Sequence, residues 1–201
     1  MLYIINLFGG PGSGKSTTAA SLFGAMKSLK KQKESFLDQY QIELVTEFAK
    51  DKVYDFHHIC LENQFFTSGN QYHRMWRVIN FWNYHNYKNG IIITDSPIIN
   101  GIFYDTHPKK ELLKKVLIEY SEFDEYKNNF AGLEQFNYLL IRDHDFEQSG
   151  RLQTSEESDK ITNDIKKFFN KNNKDLLEIQ TSKAQEFILN DILKNIKKEK
   201  T

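Results

Sequence analysis

The apolar run YIINLF at positions 3–8 passes directly into GGPGSGKST, and that into TAASLFGAMKSLKK. Residues Gly9 to Ser16 satisfy Gly-x-x-x-x-Gly-Lys-Ser/Thr at every fixed position. No other stretch restricts the fold as tightly. A strand, a glycine turn and a helix in that order open a βαβ unit, so the strand belongs to a parallel set joined by crossover helices. The glycines let the backbone turn its N–H groups inward around a phosphate, and the N-terminus of the following helix adds positive potential. In that chemistry Gly10, Gly12, Ser13, Gly14, Lys15, Ser16 and Thr17 cradle the phosphates of a nucleoside triphosphate; Lys15 bridges the β- and γ-phosphates, and Ser16 ligates Mg²⁺. The competing reading is a glycine turn that merely joins strand to helix, but chance matches seldom have both flanking elements in place.

The rest of the chain repeats this pattern. Apolar runs at 3–8, 42–46, 91–94, 136–141 and 176–179 lack polar alternation, as expected of parallel strands covered on both faces. Helical periodicity spans 15–31, 61–87 as one long helix or one broken at Gly69, 109–126, 155–170 and 183–198. Prolines occur only at 11, 97 and 108, and no repeat or linker interrupts the 201 residues. The expectation is one α/β domain over 1–201: a five-stranded parallel sheet with helices on both faces.

Ligands of open α/β sheets bind at the C-terminal ends of the strands, so polar residues there weigh more than others. After the second strand come Thr46-Glu47-Phe48-Ala49-Lys50-Asp51, and after the third Thr94-Asp95-Ser96-Pro97. Asp95 is placed to hold Mg²⁺ through water or to accept a proton from an attacking hydroxyl, and Glu47 is the other candidate base. Either acid could instead cap the helix that follows it. Between these strands, Gln64 to Tyr87 mixes aromatics with amide and guanidinium groups, a composition suited to a flat base. Trp76 and Phe81 are expected in the core, whereas Phe48, Gln64 and Arg74 are candidates for binding an acceptor. After the fourth strand, Arg142 and Arg151 flank a polar loop with the form of a lid at about 143–155, and either arginine could neutralise charge on a transferred phosphoryl group. Thr154-Ser155-Glu156-Glu157 offers a helix N-cap. His57, His58 and Cys60 fit no standard zinc spacing.

Composition narrows the classes of function. With 27 Lys+Arg against 27 Asp+Glu the chain has no net charge, so nothing global draws it to nucleic acid or to an anionic membrane. One cysteine excludes an internal disulfide and fits a reducing compartment; no leader and no membrane span is legible, so the expectation is a cytoplasmic protein.

Taken in order, FGGPGSGKST, VTEFAKD, IIITDSP, RDHDFEQSGRLQTSEESDKI and the late LLEIQ run resemble small P-loop kinases of the nicotinamide riboside kinase type and related ATPase/kinase proteins common in bacteriophages. The resemblance spans most of the chain, but only the phosphate loop is highly specific. It implies a three-layer P-loop NTPase fold with strand order 2-3-1-4-5, MgATP as donor and a nucleoside-like acceptor: a nucleoside, a nucleoside monophosphate or nicotinamide riboside. Glu47 also looks like the general base of deoxynucleoside kinases, whereas their acid-Arg-Ser signature appears here as Asp95-Ser96-Pro97, without the arginine. Two other readings keep the same loop: a kinase of a hydroxymethylated base in DNA, which the neutral charge disfavours, and an ATPase switch acting on a protein partner. A homodimer stays open.

Overall fold

The computed structural model describes residues 1–55, 61–107, 110–147 and 152–198. The strands are β1 (Leu2–Phe8), β2 (Gln41–Val45), β3 (Gly90–Thr94), β4 (Leu133–Ile141) and β5 (Leu177–Gln180). They form a single parallel sheet in the order β2-β3-β1-β4-β5. The helices are α1 (Lys15–Lys30), α2 (Phe48–Tyr54), α3 (Gln64–Tyr84), α4 (Gly101–Tyr104), α5 (Lys110–Tyr120), α6 (Ser155–Lys171) and α7 (Thr181–Lys198).

Alternation along β1 separates the two faces. Tyr3, Ile5 and Leu7 enter a core with Leu22 and Met26 of α1 and Ile188 and Ile192 of α7. Leu2 and Ile4 face Met75 and Ile79 of α3 and Leu113 and Leu117 of α5, and Phe8 joins Ile161, Ile165 and Phe169 of α6. Helices therefore cover both sides of a sheet buried throughout at β1 and β3, giving the three-layer P-loop NTPase arrangement.

Register then sets up the site. Val45 pairs with Thr94, and Asn6 also pairs with Thr94 from the other side. Thr46 and Asp95 therefore leave the sheet side by side, with Glu47 one residue further and the glycine loop following Phe8 of the neighbouring strand.

The structure settles one open reading, corrects a second and adds a helix. Gly69 does not break α3, which runs unbroken; a Cβ there would meet nothing within 4 Å, so that glycine serves no close approach. Trp76 and Phe81 are exposed, because the buried stripe of α3 is Gln64, Ser68, Gln71, Met75, Ile79 and Trp82. The turn of helix at Phe48–Tyr54 was not anticipated: seven residues are too few to show a period. The helix cap expected at 154–157 falls on Thr154 rather than Ser155, with Thr154 N–H donating to Glu157 Oε2 at 2.8 Å and Glu157 N–H to Thr154 Oγ1 at 3.3 Å.

Candidate active site

The phosphate loop is shaped by close packing as much as by its own turns. Gly12 and Gly14 have φ of 78° and 80°, in the left-handed region that only glycine occupies without strain. A Cβ on Gly10 would lie 2.2 Å from the Ser158 carbonyl oxygen, and one on Gly14 would lie 2.4 Å from Thr181 Cγ2. The surroundings also hold the loop by hydrogen bonds. Gly10 N–H donates to Thr162 Oγ1 at 3.0 Å, Ser158 Oγ donates to the Pro11 carbonyl at 2.6 Å, and Thr181 Oγ1 donates to the carbonyls of Ser13 at 2.9 Å and Ile141 at 3.1 Å. Lys15 Nζ donates to the carbonyls of Gly9 and Gly10 at 2.8 and 2.9 Å, which keeps its ammonium over the loop. Ser16 is half-buried and Thr17 exposed on the first turn of α1.

Three buried polar atoms in this region have no hydrogen-bond partner among the described residues: Ser13 Oγ, Asp95 Oδ1 and Arg142 Nη1. Asp95 is only 3% exposed at the end of β3. A buried carboxylate oxygen and a buried guanidinium nitrogen left unpaired are costly, which suits atoms that engage a ligand. Together with a glycine loop whose backbone is pressed against α6 and the start of α7, they are of the chemistry a polyphosphate and its Mg²⁺ would need: Ser16 and Asp95 could face the metal and Gly10 to Thr17 the phosphates.

Glu47 stands opposite. It occupies the N-cap position of α2, yet its side chain makes no capping hydrogen bond, so the capping reading of this acid does not apply. Burial pushes its carboxyl above the ordinary value of 4.5; Lys15 acts to lower it and Asp95 to raise it again. Those couplings bring Glu47, Lys15 and Asp95 into one electrostatic neighbourhood at the mouth of the loop.

The segment carrying Glu47 is held from α3. Phe48 N–H donates to Gln71 Oε1 at 2.8 Å, and Arg74 Nη1 donates to Thr46 O and Oγ1 at 3.2 Å and to Glu47 O at 3.3 Å. Arg74 also pairs with Asp51 and lies over the Phe48 ring, which meets Phe66 edge-on. Arg74 and Phe48, expected to contact an acceptor, thus build the wall that carries the acid. Gln64 is buried, and its Nε2 donates to the Leu61 carbonyl at 2.7 Å, closing the turn into α3.

Arg142 follows β4. Its Nη2 donates to Ser155 Oγ and Asp159 Oδ1, both at 2.8 Å, and its guanidinium lies 4.9 Å from the Phe146 ring centre. Asp143 caps the start of α7 through Ser182, whose N–H and Oγ donate to its carboxylate and hold it below the usual carboxylate range. Arg151 and the middle of the 143–155 segment lie outside the described residues, as do His57, His58 and Cys60. Among the described residues no cluster of His, Cys, Asp or Glu is arranged to hold a metal by itself, and no helix is long and apolar enough to cross a membrane.

Several residues escaped the sequence reading. Ser158 and Thr162, one turn apart on α6, hold the loop from outside; their signal is small polar residues on an otherwise apolar stripe. Thr181 was signalled by its place at the C-terminal edge of β5. Gln71 lies on the buried stripe of α3, where an amide needs a partner. Tyr104 of α4, whose phenol is pushed up by burial and by Glu47, had no legible signal.

No protein-family model matches the chain, and no curated protein does. Among solved structures it is similar to a deoxyadenosine kinase from M. mycoides with bound dATP, at 16% identity, covering 94% of this chain and 98% of that one, with a TM-score of 0.47. A second structure of deoxyadenosine kinase from M. mycoides, with products dCMP and a flexible dCDP bound, shows 17% identity over 95% and 99% of the two chains, with a TM-score of 0.43. Likeness at this level assigns neither a substrate nor a residue's role.

Proposed function

We propose that this chain is an ATP-dependent phosphotransferase that moves the γ-phosphoryl of MgATP to a hydroxyl, or a phosphate, of a nucleoside-like small molecule. The observation that carries the reading is the pair of acids at the mouth of the phosphate loop with different surroundings. Asp95 is buried with one oxygen unpartnered, and Glu47, held apart on the β2–α2 segment, has a carboxyl more basic than usual. Binding and hydrolysing a triphosphate calls for the loop and one metal acid; a second carboxyl whose proton affinity burial raises suits removal of a proton from an alcohol.

In this reading Gly10 to Thr17 bind the phosphates and Lys15 supplies positive charge to them. Ser16 and Asp95 would hold Mg²⁺, which when bound offsets charge on the β- and γ-phosphates. For a hydroxyl acceptor, its oxygen attacks the γ-phosphorus, the bond from that phosphorus to the β,γ-bridging oxygen breaks, ADP leaves, and the hydroxyl proton passes to the Glu47 carboxylate. Arg142, whose Nη1 lacks a partner among the described residues, is one cation available to the transferring group; Arg151 is a second candidate. Phe48, Gln64 and Arg74 are assigned to the acceptor side.

The test is ATP consumption with Mg²⁺ against nucleosides, deoxynucleosides, their monophosphates and nicotinamide riboside, with products read by mass spectrometry. The expected result is one acceptor class gaining a single phosphate, and Lys15→Ala lowering that rate about 10²–10³-fold. Slow hydrolysis that no acceptor accelerates overturns the reading.

A further inference from the structure

On the face of the sheet that meets α3, α5 and α6, the side chains of β1 and β4 do not stay apolar. Ile4 belongs to the core beneath α3 and α5, Phe8 to the core beneath α6, and between them stands Asn6, only 5% exposed in the middle of a central strand. Across the ladder from it β4 presents Gln135 and Asn137. Three carboxamides thus form a polar seam between two apolar cores. They floor a cavity of about 400 Å³ that opens between the end of α5 and the end of α6, walled by Phe8, Phe123 and Phe169. No residue of the phosphate loop lines it, and neither do Glu47 and Asp95.

The seam is satisfied on one side only. Asn6 Nδ2 donates to Gln135 Oε1 and Asn137 Oδ1, both at 2.9 Å; Gln135 Nε2 donates to the Ser121 carbonyl at 2.7 Å, and Asn137 Nδ2 to the Asp175 carbonyl at 3.2 Å. Every amide donor group is used, while no donor among the described residues reaches Asn6 Oδ1. An acceptor that lines the cavity from a central strand, with no donor among the described residues, is the kind of atom that a ligand or water engages. The rim lysines already have partners, Lys174 with Glu122 and Lys127 with Asp124, so the site offers no unpaired cation to an anion.

We propose that this amide-floored cavity between α5 and α6 is a second binding site, separate from the phosphate loop, for an uncharged nitrogen heterocycle of nucleobase or nucleoside size that donates an N–H to Asn6 Oδ1. Aromatic walls accept a flat ring, the seam reads its edge, and the volume falls within the range of small-molecule sites. The proposal stands whether or not the catalytic reading does.

The test is calorimetric titration of the folded protein with adenine, cytosine, adenosine and cytidine, comparing wild type with Asn6→Leu and Arg74→Ala. Binding that weakens at least tenfold in Asn6→Leu and persists in Arg74→Ala supports the cavity. The opposite pattern locates binding at the mouth of the phosphate loop and overturns the proposal, as does the absence of binding by any of the four at 1 mM, on the order of the weakest affinity such a pocket gives. If circular dichroism shows Asn6→Leu to be unfolded, Gln135→Met, which keeps the side-chain volume, takes its place with the same expected loss.

Discussion

The two sides of the cleft are built in different ways. On the side of the glycine loop, Gly10 packs against Ser158 and Gly14, at positive φ, against Thr181. On the opposite side, Glu47 sits on a short segment with no sheet partner beyond Val45, held by side chains of α3: Gln71 to Phe48 N–H, and Arg74 to Thr46 and Glu47. The first side tolerates almost no change at its glycines and is braced from behind by the short hydroxyl side chains of Ser158, Thr162 and Thr181. The second tolerates backbone variation and depends on two long polar side chains from a helix elsewhere in the sequence. A triphosphate is common to many reactions and an acceptor is particular to one, so a rigid backbone cradle facing an adjustable side-chain wall fits that division of labour.

The largest effect that can break this contrast is at Glu47. Glu47→Gln is expected to lower acceptor phosphorylation about 10²–10⁴-fold, with the affinity for MgATP retained in titration of a fluorescent ATP analogue. An unchanged rate would move the base to Asp95. In wild type, kcat/KM should fall as pH drops through a value above 4.5, because the buried carboxyl takes up its proton earlier than an exposed one.

Next is the cradle. Gly10→Ala places a Cβ against the Ser158 backbone, where neither partner is a flexible tip, and should destabilise the fold by about 1–3 kcal/mol in urea unfolding while also weakening nucleotide binding. Gln71→Leu should cost a similar or smaller amount, about 1–3 kcal/mol, by leaving the buried Phe48 N–H unpaired, yet leave nucleotide affinity intact and lower acceptor kcat/KM. If both variants lost nucleotide and acceptor binding alike, the two walls would not be independent.

The smallest effect is on stability. Folding raises the proton affinity of Glu47, so the stability it contributes is full below the unfolded value and is lost as pH rises from there through the folded value. Glu47→Gln should therefore melt slightly higher than wild type at pH 7, and the two melting temperatures should converge near pH 4.

Much of this was legible in the chain. Each strand was located, because a covered parallel strand carries an apolar run, although β4 begins three residues earlier at Leu133 with Glu134 and Gln135 inside it; the loop was legible, because its glycines, Lys15 and Ser16 lie within eight residues; and a helix start near 154–157 was, though its cap is Thr154 rather than Ser155. Asp95 and Glu47 were singled out through a positional rule, as polar residues at strand ends. Arg74 was singled out, but as a ligand contact: its polarity was visible in the stripe of α3, whereas its partners at Thr46, Glu47 and Asp51 lie more than twenty residues away. Trp76 and Phe81 were misjudged because aromatic content alone does not say which side of a helix faces the sheet.

What the amino-acid sequence determined by itself is whatever depends on neighbours in the chain: the strand–loop–helix unit, the alternation of elements, and the positions where strands end. The tertiary structure decided what depends on register and packing. The pairing of Val45 with Thr94 brings Glu47 and Asp95 to the same mouth, Gly10 and Gly14 meet α6 and the start of α7, and Asn6 in an apolar run faces two amides of a strand some 130 residues on. The reason is physical: hydrogen-bond geometry and periodicity act over a few residues, whereas burial and close approach are properties of surfaces that exist only once the crossovers have brought distant segments together.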